Sequence, residues 1–340
     1  MALPTAFENR LRVPVVASPM FLASGPELLI ENCKAGVVGT FPALNQRTSE
    51  GFEQWLIQIK AALAEWEQET GKQAAPFGVN LIVHKTNPRL EADLELCVKH
   101  QVPLIITSLG AVASLIERVH QYGGVVFHDV INARHANKAA QAGVDGLIAV
   151  AAGAGGHAGT TSPFALLSEI RQFFDKTVLL AGCMSNGKDI AAAELMGADL
   201  AYMGTRFINT KEALVEDDYK EMIVNSSSKD IVYTPKISGV NANFMQQSIV
   251  DAGIDPNDLT PKAELDFGAE LTTDADDKGE KKQGAWRDIW SAGQGVGSIN
   301  NIPSAAELVE TLATEYQEAI EKHQANYQAL YAKTAEATEA

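Results

Sequence analysis

The chain has 340 residues, enough for one large domain or two ordinary ones, and at 46% hydrophobic and 21% charged it can bury a sizeable core, which excludes wholesale disorder. Its 43 acidic residues against 27 basic ones give a formal net charge of −16, a surface that repels nucleic acid and anionic membranes but leaves room for a local basic pocket. Cys33, Cys97 and Cys183 form neither a C-x-x-C pair nor a disulfide framework, and no secretory leader or long apolar run is read, so a cytoplasmic protein without a membrane span is expected.

In chain order, short apolar runs alternate with longer amphipathic stretches. Strands are predicted at residues 13–17, 37–39, 77–81, 104–107, 125–128, 146–150, 177–181 and 200–203. Helices are predicted at 27–34, 51–69, 89–100, 112–122, 133–141, 163–174, 187–196 and 212–224. Continuously apolar strands separated by helices read as buried parallel strands. Eight such units over roughly 210 residues predict an α/β fold of the (β/α)8, or TIM, barrel type. The alternative is an open doubly wound sheet, which would carry a Gly-rich turn after its first strand. The chain instead reads Ser18-Pro19-Met20-Phe21 there.

After Val224 the rhythm breaks. Residues 230–243 hold turn residues and short apolar runs, and 262–282 are charged, which reads as a solvated excursion. A long helix is predicted from about Ser304, with residues 332–340 fraying. The expected organisation is a barrel core over 1–224, a smaller, partly helical portion over 225–303 covering the active-site side, and a C-terminal helix over 304–340 that returns to the barrel.

In a barrel, chemistry sits on the turns after the strands. The sixth strand leads into Gly153-Ala154-Gly155-Gly156-His157-Ala158-Gly159-Thr160, where four glycines let the backbone approach a flat ligand and His157 projects an imidazole suited to proton transfer. The bland alternative is a loop histidine that only bonds its neighbours. The seventh and eighth strands lead into Gly182-Cys183-Met184-Ser185-Asn186-Gly187 and Gly204-Thr205-Arg206-Phe207. Gly-rich loops at those two strands form a recurrent phosphate site in barrels, which implies a phosphorylated ligand or flavin mononucleotide (FMN). Asn80 and Ser108 end the third and fourth strands, and His128-Asp129 closes the fifth; each is a candidate for reading a ring edge or for simply capping a loop. His84, His100, His120, His135 and His323 lack a Gly-rich context and read as structural. No metal-spaced His/Cys group, G-x-S-x-G elbow or G-x-x-x-x-G-K-[ST] loop is read, and Cys183 has no base supplied by its sequence neighbours.

Residues 17–20, 77–80, 153–160, 181–187 and 198–207 together resemble the nitronate monooxygenase family, also called 2-nitropropane dioxygenases. The resemblance extends to 36–45, 240–244 and 290–297, nearly the whole chain, with Gly155-Gly156-His157 and Met203-Gly204-Thr205-Arg206 its most specific elements. It implies an FMN-containing barrel with a lid-like extra portion, oxidising alkyl nitronates with dioxygen to a carbonyl compound and nitrite, with neutral nitroalkanes left open as further substrates. By position it makes His157 the catalytic histidine. Met20, Asn80 and His128 would contact the flavin, and Gly155 and Gly156 would lie close to it. Gly182, Gly187, Gly204 and Thr205 would hold the phosphate through their backbones. At His128 the chain departs from the pattern of many relatives, which leaves that contact open. Flavin-dependent enoyl-acyl carrier protein reductases and quinone reductases share the Gly-Gly-His pattern, so an NAD(P)H-dependent flavin reductase is the competing activity. A barrel without flavin acting as a binding module is the reading outside enzymology. A homodimer is one assembly left open.

Overall fold

The computed structural model describes residues 2–259 and 286–336. Eight parallel strands close on themselves: β1 (Val15–Ala17), β2 (Val38–Pro42), β3 (Phe77–Ile82), β4 (Leu104–Ser108), β5 (Val125–Val130), β6 (Gly146–Val150), β8 (Thr177–Ala181) and β9 (Leu200–Met203), with β9 pairing back on β1 through Val15 and Ala201. All eight predicted strands are present in the predicted order, and the (β/α)8 barrel is the fold. The alternation of side chains along a strand explains why these runs are apolar throughout. Val16, Val38, Leu104, Ile106, Phe127, Ile148, Leu179 and Leu200 fill the barrel interior. Their neighbours Phe41, Val79, Ile105, Val126, Leu147 and Val178 face the surrounding helices. Phe7 closes the bottom, its ring 5.8 Å from that of Phe127. Gly146 is required beside that ring, because a Cβ there would stand 2.5 Å from it.

The helices are α1 (Pro26–Ala35), α2 (Ser49–Thr70), α3 (Leu90–Lys99), α4 (Ala113–His120), α5 (Ala133–Ala142), α6 (Pro163–Ile170), α7 (Gly187–Leu195), the short α8 (Thr205–Ile208), α9 (Asp217–Val224), α10 (Gln246–Asp251) and α11 (Ala305–Glu336). The helix expected at 212–224 begins only at Asp217. The preceding residues are held along neighbouring segments instead: Lys211 N–H donates to Pro303 and Leu214 N–H to Ala23. The first turns of α11 bury Leu308, Val309 and Leu312 in one cluster with Leu28 and Ile190, so this helix packs against α7 and α1 on the barrel's outer ring.

A second, three-stranded antiparallel sheet was not foreseen. It runs β10 (Ile231–Thr234), β11 (Ala242–Met245), β7 (Gly156–His157), pairing Ala242 with His157. Strands of two to four residues carry too little alternation to be read. Phe244, Ile237, Ile249, Leu259 and Ile289 form its small separate core. The charged stretch 262–282 lies outside the described residues, as do 337–340 of the tail expected to fray. Among the described residues no helix is long and apolar enough to cross a membrane.

Candidate active site

A cavity of about 590 Å³ opens at the C-terminal ends of the barrel strands. Every barrel strand or the turn after it contributes a wall residue: Met20, Pro42, Asn80, Ser108, His128, Ala154, Gly182 and Gly204. Of the residues singled out in the sequence, Met20, Asn80, His128, Gly155, Gly156, His157, Gly182, Gly204 and Thr205 all line it.

The loop carrying His157 is held from outside the barrel. Gly156 N–H donates to Ser291 Oγ at 2.7 Å, and that hydroxyl donates to the Asn243 carbonyl of β11 at 2.8 Å. Asn243 Nδ2 reaches the Ala154 carbonyl at 2.6 Å, and Gln294 N–H the Gly153 carbonyl at 2.9 Å. Gly156 turns the chain with φ of +68°. The Trp286 ring meets the imidazole edge-on at 5.3 Å. Nε2 of His157 is buried with no hydrogen-bond partner among the described residues. An orphaned buried nitrogen is costly unless a ligand satisfies it. Burial also pulls this imidazole down to a pKa of about 4, so it is neutral at pH 7 and able to accept a proton.

On the opposite wall, three strand ends are wired together. Asn80 Nδ2 donates to Ser108 Oγ at 2.8 Å and to the Ile106 carbonyl at 3.2 Å, and Ser108 Oγ donates to Asp129 Oδ2 at 2.5 Å. Ionised Asp129 can only accept, so the Ser108 proton is committed to it and Ser108 must accept from Asn80. Both hydrogens of the Asn80 amide are thereby used, and its carbonyl oxygen is the atom left for a ligand donor. Burial raises Asp129 to about 6, against the lowering effect of the Ser108 and Leu109 donors. His128 shares a hydrogen bond of 2.8 Å between Nδ1 and Thr107 Oγ1, and burial lowers it to about 4.

The phosphate-type glycines divide. Gly182 and Gly204 border the cavity, and a Cβ on them would meet the Ala152 carbonyl at 3.0 Å and Ser18 Oγ at 2.8 Å. Thr205 lines it too, with Oγ1 accepting from Gly293 N–H at 2.9 Å. Gly187 is elsewhere. Its N–H donates to Glu315 Oε2 of α11 at 2.8 Å, and a Cβ there would stand 2.2 Å from Tyr316 N. The expectation that its backbone holds a phosphate is therefore corrected: the donor is taken and the glycine serves close helix packing. His135, read as structural, lines the cavity, and so does Lys138 one turn further on. Trp286, Ser291 and Tyr219 were missed. Tyr219 lies on the last predicted helix of the barrel core, and Trp286 and Ser291 come from the segment after it, where the 240–244 and 290–297 stretches carried a signal. Among the described residues no cluster of three or more His, Cys, Asp or Glu could hold a metal ion.

Comparisons with known proteins follow the same outline. The family model described as nitronate monooxygenase matches residues 9–315. A curated (3aS,4S,5R,7aS)-5-hydroxy-7a-methyl-1-oxo-octahydro-1H-indene-4-carboxyl-CoA dehydrogenase from Rhodococcus jostii is 28% identical over 70% of this chain, and the match spans 64% of that protein, less than two thirds of its length. A curated nitronate monooxygenase from Paraburkholderia phytofirmans is 26% identical, over 91% of this chain and 93% of that one. The solved structure of a nitroalkane oxidase from Streptomyces ansochromogenes superposes with a TM-score of 0.76 at 23% identity, covering 94% of this chain and 99% of that one, a likeness of fold.

Proposed function

Because the chain belongs to the nitronate monooxygenase family, a family of flavin-dependent enzymes, we propose that it binds FMN and oxidises alkyl nitronates with dioxygen to a carbonyl compound and nitrite. The observation that carries this reading is His157, a neutral imidazole with an orphaned Nε2 on the wall of a cavity at the barrel mouth. The cavity fits a flavin: apolar Met20, Phe21, Pro42 and Leu44 offer a platform, and the Asn80 carbonyl offers an acceptor to a ring N–H. FMN, when bound, supplies the electron-accepting ring. Backbone groups of Gly182, Gly204 and Thr205 hold its phosphate, and Gly155 and Gly156 let the His157 loop lie close to it. His157 takes the α-proton of a neutral nitroalkane at Nε2, or orients a nitronate that already lacks it. In this reading residues 1–224 are the FMN-binding barrel, 225–303 its cover and 304–340 the returning helix, in a cytoplasmic enzyme.

The test is anaerobic mixing of the purified protein with ethylnitronate and, separately, with NADH. Bleaching of the flavin by the nitronate alone supports the proposal. Bleaching by NADH alone moves the chain to the flavin reductases. Heat-released cofactor that chromatographs as FAD, or a folded protein without flavin, rejects the FMN assignment.

A further inference from the structure

The cavity does not stop at the barrel mouth. On one side it continues along α5, where His135, Lys138 and Ala139 line it from positions i, i+3 and i+4 of a single helix face. Gly110 and Ala111, from the loop after β4, line the same cavity, as do Leu109 and Ile131, which follow β4 and β5. At 1.5 Å per residue, the stretch of helix lining this arm, from His135 to Ala139, spans on the order of 6 Å. Part of this lining is apolar yet open to solvent: Leu109 is 45% exposed and Ile131 38%. Large apolar side chains left exposed together beside a cavity mark a place where something binds.

The α5 side of this lining has the opposite character. Lys138 and His135 are both exposed, and neither forms an ion pair among the described residues. In a chain of formal net charge −16 an unpaired cation on a cavity wall is out of keeping with the surface around it. The glycines assigned above to the cofactor phosphate, Gly182 and Gly204, follow β8 and β9, on another part of the barrel rim from β4 and β5. The arm is thus left for the substrate.

We propose that this arm, between α5 and the loop after β4, binds the tail of an extended substrate: an alkyl or acyl chain that ends in an anion, a carboxylate or a phosphate ester, held by Lys138 with His135. The proposal rests on the reading of the cavity as the active site and adds the substrate class. Leu109 and Ile131 take the chain, and the lysine meets the charged end as a point charge on a flexible stem. The reacting end would then lie toward His157, inside the barrel mouth. A short alkyl nitronate would fill only the inner part of the cavity.

Octanoate and octyl phosphate are the probes, with octanol as the uncharged control. Each is titrated calorimetrically into the flavin-loaded protein, wild type and Lys138→Glu, at low ionic strength. At least one anion should bind the wild type more tightly than octanol by up to about fivefold, the upper end for an exposed ion pair. The substitution should erase that margin while flavin content and octanol affinity are kept, and added salt should shrink it. A margin with only one anion identifies which terminus the arm accepts. Equal binding of octanol and both anions to the wild type, or an anion margin that survives Lys138→Glu, overturns the proposal. Anion binding by a protein that does not oxidise nitronates would uphold the arm and reject the activity.

Discussion

His157 is fixed by its backbone and its neighbours rather than by bonds from Nε2. β11 and Ser291 set the loop, and the Trp286 edge sets the ring. Removing the imidazole should therefore spare the fold and the flavin. His157→Asn is expected to lower turnover of nitroethane by about 10²–10⁴-fold, the usual worth of a general base, with a much smaller loss on pre-formed ethylnitronate. Steady-state rates on both substrates, alongside flavin content, check this; equal losses would sink the base assignment. At this scale the sequence was informative where a residue ends a strand or sits in a glycine run, as with Asn80 and His157. It was silent where the partner comes from far along the chain. Ser291 lies 135 positions after Gly156, and nothing local to either predicts their bond. The role of Asp129 in setting the polarity of Asn80 likewise needs three strand ends in register.

Among the elements, the barrel strands were legible because burial on both faces makes them continuously apolar, a signal that survives without any partner in view. The two-residue β7 had no such signal, since its pairing is decided by β11, some 85 residues on. Gly187 shows how a local motif can mislead. A glycine opening a helix after a late barrel strand looks like a phosphate cradle, but α11 occupies that space. The two roles make different predictions. A packing glycine predicts that Gly187→Ala pushes α11 off α7 and costs about 1–3 kcal/mol, the usual penalty of overpacking, with the flavin site retained in the folded fraction. A phosphate glycine predicts loss of flavin at unchanged stability. Denaturant unfolding and flavin content, measured on the same preparation, separate them.

Over the whole molecule, the buried titratable groups of the cavity tie stability to pH, and their signs oppose. His128 and His157 are each lowered from 6.5 to about 4 by burial, so both are charged in the unfolded chain and neutral in the fold near pH 5. Their contribution is present above about 6.5 and drains away as pH falls toward 4. Asp129 is raised from 3.8 to about 6, so near pH 5 it is protonated in the fold and ionised in the unfolded chain. It contributes below 3.8, and that contribution is lost as pH rises through about 6. Near pH 5 the unfolded chain therefore binds two protons more on the histidines and one fewer on the aspartate. The net of one proton makes stability rise by about 1.4 kcal/mol per pH unit from these groups. Asp129→Asn removes the opposing member, and its slope should steepen to about 2.7 kcal/mol per unit. Urea unfolding of flavin-free wild type and variant at about pH 5 and about pH 6 measures both slopes, and all remaining groups cancel in the difference. Parallel slopes would mean that Asp129 is ionised in the fold at pH 5, and the buried chain from Asn80 through Ser108 to Asp129 would then keep its polarity well into the acid range.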